Sequence, residues 1–113
     1  MKLPEVSIIT ANFNHSKWIS RCIRSVNNQE FIDNSIIEHV IIDDCSTDNS
    51  LEIAKSYEHL PNVTVLENEK NKGCYYSRNK GLNYFKDKEW DYFTVHDADD
   101  LSDVNRFKIL LDY

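Results

Sequence analysis

The chain has 113 residues, of which 41% are hydrophobic and 28% charged, which is the size and composition of one soluble globular domain. Its net charge of −6 argues against nucleic acid as a general partner, because no excess of Lys and Arg is present to neutralise a phosphate backbone. The apolar runs are too short to cross a bilayer and the N-terminus lacks the apolar stretch of a signal peptide, so we expect a cytoplasmic protein, either free or peripheral to a membrane.

Strands and helices are predicted to alternate along the chain. Short runs of β-branched and aromatic residues indicate strands, and apolar residues that recur every three or four positions, such as Ile19, Cys22 and Val26, indicate helices. In chain order the predicted elements are a strand at 6–10, a helix from Trp18 to about Asn28, a strand at 39–42, a helix that includes 51–57, a strand at 63–66, a helix at about 75–85, a strand at 92–95 and a helix at 104–111. This alternation predicts right-handed βαβ units and a mainly parallel sheet with helices on both faces. Residues 28–38 could form a loop or extend the second strand.

The use of cysteine and glycine excludes several kinds of site. Cys22, Cys45 and Cys74 are odd in number and lack the Cys-x-x-Cys spacing of a zinc site, so we expect reduced thiols in or near the core. Gly73 and Gly81 are the two glycines of the chain, which is too few for a Gly-x-Gly-x-x-Gly fingerprint or a P-loop. A bound phosphate would therefore have to be held by side chains and a metal ion.

Acidic residues directly follow the fourth predicted strand. Asp97, Asp99 and Asp100 lie there, and in an open α/β sheet the carboxyl ends of the strands line the ligand crevice. Two carboxylates about 4 Å apart repel by roughly 4 kcal/mol at an effective dielectric near 20. A divalent cation would offset that repulsion, and oxygen ligands suit Mg²⁺ or Mn²⁺. The alternative is an acidic turn that caps the following helix.

Three strand ends are expected to meet at one edge of the predicted sheet. Phe13 follows the first strand, Asp43 and Asp44 follow the second, and Asp97 and Asp99 follow the fourth. A nucleoside diphosphate needs an aromatic ring to stack on its base, a carboxylate to accept from an imide N–H, and acids that bind a metal ion. Each residue alone has a structural alternative in the core, in a turn or at a helix cap. Their convergence favours a nucleotide site.

Four linked motifs cover nearly the whole chain: VSIITANFN at 6–14, VIIDDCSTD at 40–48, the segment from NKG to SRNKG at 71–81, and DADD at 97–100. In order and spacing they resemble the family 2 glycosyltransferases of the GT-A fold. The resemblance implies a Rossmann-like α/β fold of the nucleotide-diphospho-sugar transferases, formed by a single domain over residues 1–113. It further implies that the chain corresponds to the N-terminal, donor-binding half of such an enzyme and is truncated after the Asp-x-Asp motif. Cys45 departs from the family pattern, in which glycine is common at that position.

The resemblance implies an activity and its cofactor. The reaction would be the inverting transfer of a sugar from a nucleoside diphosphate sugar, most often a UDP-sugar, to a hydroxyl group of a saccharide, lipid or protein. A bound Mn²⁺ or Mg²⁺ would stabilise charge on the leaving diphosphate. The catalytic base is unknown, since no residue after Asp100 resembles it, and we expect donor binding with weak or absent transfer from this chain alone. A second copy or a partner protein is expected to cover the missing acceptor half.

By position, the resemblance also assigns site residues. Phe13 would stack on the base, Asp44 would accept from it, and Arg78 would lie near the diphosphate. Asp97 and Asp99 would bind the metal, with Asp99 as the principal ligand. The full set expected to bind the nucleotide sugar is Ala11, Asn12, Phe13, Asn14, Asp43, Asp44, Arg78 and Asp97.

Two other classes of protein do not fit the sequence. A receiver-type signalling domain needs a phosphoacceptor Asp at the end of the third strand, where this chain has Glu67 and Asn68. A calcium loop that starts at Asp97 fails because Lys108 stands where a bidentate Glu belongs. A non-catalytic nucleotide-sugar-binding or interaction module that keeps the donor half stays open as the alternative function.

Overall fold

One parallel sheet organises the chain in the computed structural model, which describes residues 6–28, 37–86, 88 and 92–98. In chain order its elements are β1 (Val6–Asn12), α1 (Ile19–Asn27), β2 (Ile37–Asp43), α2 (Ser50–Lys55), β3 (Val63–Glu67), α3 (Cys74–Phe85) and β4 (Tyr92–Asp97). The four strands are parallel and lie in the order β3-β2-β1-β4. The predicted α/β architecture with a parallel sheet is therefore confirmed.

Helices cover both faces of this sheet. On one face Ile41 of β2 packs with Ile23 of α1 and Ala54 of α2. On the other face Ile42, the next residue of β2, packs with Phe85 of α3. Successive side chains of a strand point to opposite faces, so this pair explains why the strand sequence is apolar without alternation. The predicted coverage of both faces is confirmed.

The strands are longer than the sequence predicted. β4 continues to Asp97, because the ladder with β1 extends to the pair of Ala11 and Asp97. β2 begins at Ile37, so residues 37–38 of the segment 28–38 extend the second strand. Helix α2 ends at Lys55 and is therefore shorter than the predicted helix, which included Tyr57. The helix predicted at 104–111 lies outside the described residues. No helix in the described part of the chain is long and apolar enough to cross a bilayer.

The cysteines differ in their burial. Cys22 of α1 is buried, and its thiol donates to the main-chain oxygen of Asp97 at 3.8 Å. Cys45 and Cys74 are exposed free thiols, so the prediction of burial is wrong for these two. Cys45 lies in the turn after β2 with a φ of 59°, a backbone conformation that favours glycine, and Cys74 is the first residue of α3. Both therefore lie at the edge of the sheet rather than between its layers.

Helix α3 approaches the sheet closely at Gly81. A Cβ atom at this position would overlap Cγ2 of Ile9 and lie 3.1 Å from Cδ1 of Ile42. We expect Gly81→Ala to lower the free energy of unfolding by about 1–3 kcal/mol, as overpacking of a core does, in urea denaturation. Asn79→Ala, at an exposed position of the same helix, should change it by no more than about 0.5 kcal/mol. A Gly81→Ala chain as stable as the wild type would contradict this packing.

Candidate functional site

The carboxyl ends of β1, β2 and β4 lie side by side. Asn12 pairs with Asp43 of β2, and Ala11 pairs with Asp97 of β4. A pocket of about 110 Å³ opens at these strand ends. It is lined by Ala11, Asn12, Phe13, His15, Asp44, Cys74, Ser77 and Asp97. The predicted meeting of strand ends is confirmed for the described residues, and residues 99–100 lie outside them.

The Phe13 ring stands at the pocket rather than in the core. Its side chain is 41% exposed, directly after the end of β1. The next residue, Asn14, has a φ of 57° and turns the chain sharply. The Asn14 Oδ1 accepts from the main-chain N–H groups of Thr47 at 2.8 Å and Asp48 at 3.2 Å. The loops after β1 and β2 are thus tied together beside the partly exposed Phe13 ring.

Asn12 links β1 to β2 and to the start of α2. Its Nδ2 donates to Asp43 Oδ1 at 2.7 Å, to Ser50 Oγ at 3.0 Å and to Ser46 Oγ at 3.4 Å. Asn12 and Asp43 are each 1% exposed. Because a carboxylate only accepts, the amide nitrogen must face Asp43, and Asn12 Oδ1 is left without a hydrogen-bond partner among the described residues. Asp43 Oδ2 also accepts from Ser46 N at 3.0 Å, so Asp43 fixes the turn after β2.

Asp44 holds the loop between β3 and α3. Its carboxylate is 5% exposed and accepts from Asn68 Nδ2 at 2.9 Å, Lys72 N at 2.7 Å and Gly73 N at 2.9 Å. Burial alone would raise the pKa of Asp44, but the hydrogen bonds from Lys72, Asn68 and Gly73 outweigh it and lower that pKa below 3.8. The carboxylate is therefore ionised at neutral pH and organises one wall of the pocket.

Arg78 and Asp97 form an ion pair at the pocket mouth. Arg78 Nη2 lies 3.2 Å from Asp97 Oδ1, and the Asp97 side chain is half exposed. Arg78 Nε is buried and has no partner among the described residues. The pair places one cationic and one anionic group at the same strand end, where a diphosphate and its counter-ion would each find an opposite charge.

Carboxylate oxygens, such as those of Asp97, are suitable ligands for a divalent metal ion. Mg²⁺ is commonly bound by one or two carboxylates together with substrate phosphates, and Asp97 offers one such carboxylate. Within residues 6–28, 37–86, 88 and 92–98, no group of three or more His, Cys, Asp or Glu side chains could hold a metal ion. Asp99, the second predicted ligand, is outside those residues.

The structure brings most of the predicted site residues together. Five line the pocket, Arg78 contacts one of these, and Asn14 and Asp43 fix the adjoining turns. His15, Cys74 and Ser77 also line the pocket and were not predicted. They flank or lie within the first and third motifs, but no spacing rule distinguishes them, since their position depends on loop conformation.

Sequence comparison with known proteins gives a consistent result. The profile of Glycosyl transferase family 2 matches residues 7–113. The poly(ribitol-phosphate) beta-N-acetylglucosaminyltransferase TarS of Staphylococcus aureus is 36% identical over 67 residues, which are 59% of this chain and 12% of TarS. Chondroitin synthase of Escherichia coli is 41% identical over 73 residues, which are 64% of this chain and 10% of that protein.

Solved structures share the fold. Staphylococcus aureus TarS 1-349 in complex with UDP-GlcNAc superposes with a TM-score of 0.84 and 30% identity, over 96% of this chain and 30% of that one. The mannosyltransferase PcManGT from Pyrobaculum calidifontis, in complex with GDP-Man and Mn²⁺, gives a TM-score of 0.76 at 22% identity, over 89% of this chain and 29% of that one. The chain thus spans less than a third of each of these proteins.

Proposed function

The chain belongs to glycosyl transferase family 2 and has the GT-A fold, and from that premise we propose that it binds a UDP-sugar as the donor in an inverting transfer to a hydroxyl acceptor. One observation carries this proposal: Phe13, Asp44 and Asp97 line a single pocket at the carboxyl ends of three parallel strands. The similarity to TarS bound to UDP-GlcNAc supports the nucleotide class. The acceptor would be a hydroxyl of a saccharide, lipid or protein, and residues 1–113 would form one donor-binding domain.

The base would be held by stacking and by hydrogen bonds. Phe13 offers an exposed ring, and base–aromatic stacking contributes about 1–3 kcal/mol. Asp44 Oδ2 accepts one hydrogen bond from the described part of the chain, that of Gly73 N, so it retains an acceptor site for an imide N–H. Asn12 and Asp43 would hold the two strand ends in place beneath the ribose.

The diphosphate would be held by Arg78 and by a metal ion. The Arg78 side chain is about one-third exposed beside Asp97, and its guanidinium N–H groups suit phosphate oxygens. Asp97 and Asp99 would bind Mn²⁺ or Mg²⁺, and such an ion, when bound, would stabilise the charge of the departing diphosphate. An inverting displacement also needs a base at the acceptor hydroxyl. We propose that this chain alone binds the donor and transfers weakly or not at all.

Arg78→Gln tests the diphosphate contact. We expect UDP to bind about tenfold or more weakly to this variant, since hydrogen bonds to charged groups contribute about 1.5–3 kcal/mol. Uridine, which lacks the diphosphate, should bind as it does to the wild type. Calorimetric titration of both ligands measures the difference, and Arg24→Gln, at an exposed position of α1, is the matched control. Equal losses for uridine and UDP would contradict the assignment.

A further inference from the structure

A groove lies beside β3 and α3, next to the nucleotide pocket. Its volume of about 370 Å³ lies in the range of roughly 300–1,000 Å³ typical of small-molecule sites. The described residues that line it include Asn68, Lys70, Lys72, Tyr76 and Lys80, and all of its lining residues differ from those around Phe13. The groove adjoins the pocket around Phe13, because Asn68 and Lys72 donate hydrogen bonds to Asp44, which lines that pocket.

The groove concentrates positive charge in an acidic chain. Lys70, Lys72 and Lys80 line it, although the net charge of the chain is −6. Two acids, Glu67 and Glu69, also line it. The carboxylate of Glu67 lies 2.9 Å from the ammonium of Lys55, outside the groove, so its charge is already paired. The lysines thus outnumber the remaining acid, which favours an anionic ligand.

The walls of the groove are held in place by hydrogen bonds. Lys80 Nζ donates to the Glu67 main-chain oxygen at 2.6 Å and to Asn68 Oδ1 at 3.2 Å. An ammonium has three N–H donors, so one remains for a ligand. Asn68 Nδ2 and Lys72 N donate in turn to the buried carboxylate of Asp44. Because these hydrogen bonds hold the backbone that carries the lysines, the entropy cost of ordering this loop when a ligand binds is reduced.

Tyr76 provides a flat surface beside one of these cations. Its side chain is 49% exposed, and the Lys72 ammonium lies 5.5 Å from the centre of its ring. An aromatic face buries the C–H face of a sugar ring, and the phenolic O–H at its edge can hydrogen-bond a hydroxyl. The ring and the neighbouring ammonium together suit a sugar that carries a negative substituent.

We propose that this groove binds a sugar unit bearing a carboxylate or a phosphate, at a site distinct from the donor pocket. The anion would lie between the Lys72 and Lys80 ammonium groups, and the sugar ring would lie on Tyr76. The choice of a sugar rests on the proposed function, since a glycosyltransferase acts on saccharides, whereas the choice of an anion rests on the lysines.

Amide shifts of the ¹⁵N-labelled chain test this proposal. The chain is titrated with glucuronate, glucose 6-phosphate, glucose and inorganic phosphate at constant ionic strength, and separately with UDP. We expect saturable shifts at Lys70, Lys72 and Tyr76 with at least one anionic sugar and none with glucose. Lys72→Gln should weaken that binding by about three- to fivefold, as for a solvent-exposed charge pair. Lys86→Gln, at an exposed position just after α3, should leave it unchanged.

Three results would overturn the proposal: no saturable shift with either anionic sugar, equal binding of inorganic phosphate alone, or equal weakening by the two lysine variants. Comparison of the affinities for glucuronate and glucose 6-phosphate shows whether the groove prefers a carboxylate or a phosphate. UDP-induced shifts at Cys74 and Ala98 report the other site. If UDP shifts the amides of the nucleotide pocket but no anionic sugar shifts those of the groove, this inference is wrong and the proposed function stands. If an anionic sugar shifts the groove amides but UDP shifts none, the proposed function is wrong.

Discussion

Asp44→Asn is expected to lower the free energy of unfolding by about 2–4 kcal/mol, because it sets an amide N–H₂ against buried N–H donors and removes charge-assisted hydrogen bonds. The carboxylate accepts from Asn68, Lys72 and Gly73, so neither orientation of the new amide satisfies every donor. The loop after β3 would loosen, and UDP binding should fall at least about tenfold, the equivalent of one such hydrogen bond. Urea denaturation and calorimetry measure the two effects.

The pH dependence of that loss follows from the lowered pKa of Asp44. A carboxyl group whose folded pKa lies below its unfolded value of 3.8 stabilises the fold fully above pH 3.8. That contribution disappears as the pH falls through the folded pKa. The difference in stability between wild type and Asp44→Asn should therefore be constant near neutral pH and shrink below pH 3.8. Asn71→Ala, an exposed change in the same loop that removes no ionisable group, should show no such pH dependence.

Phe13→Ala is expected to weaken UDP binding by about 1–3 kcal/mol, the contribution of base–aromatic stacking. The ring is 41% exposed, so its removal should lower the free energy of unfolding by only about 1–2 kcal/mol, less than the loss of a fully buried ring. Phe13→Tyr keeps the aromatic face and should bind UDP as the wild type does. Leu82→Ala removes an exposed apolar side chain elsewhere and should not affect UDP binding.

Two results would contradict a stacking role for Phe13. One is unchanged UDP affinity in Phe13→Ala. The other is a loss of affinity that matches a loss of stability of several kcal/mol, which would indicate that Phe13 supports the fold rather than the ligand.

The architecture was predictable because it depends on local patterns. Ile41 and Ile42 are both apolar, and a strand with two apolar faces is typical of a parallel sheet covered by helices. Parallel strands end at the same edge, so the sequence alone predicts that Asp43 and Asp97 lie near Phe13. The strand ends themselves were less predictable, since the ladder extends β4 to Asp97 through pairing that a run of apolar residues does not encode.

The detail of the site depends on loops, and sequence patterns do not determine loop conformation. The contacts of Asp44 with Lys72 and Gly73 join residues far apart in the chain. Cys74 and Ser77 line the pocket because the same loop directs the first turn of α3 toward β1. Cys45 stands where the family pattern commonly has glycine, and its φ of 59° is a backbone conformation that favours glycine.

Calorimetric titration of UDP, with GDP for comparison, tests the donor site most directly. It is carried out in Mn²⁺ and then in chelator, on the wild type and on Asp99→Ala. A working donor site predicts UDP binding in Mn²⁺, tighter than GDP binding, that weakens in chelator and in Asp99→Ala. The absence of binding to UDP in Mn²⁺ by the wild-type chain would contradict it.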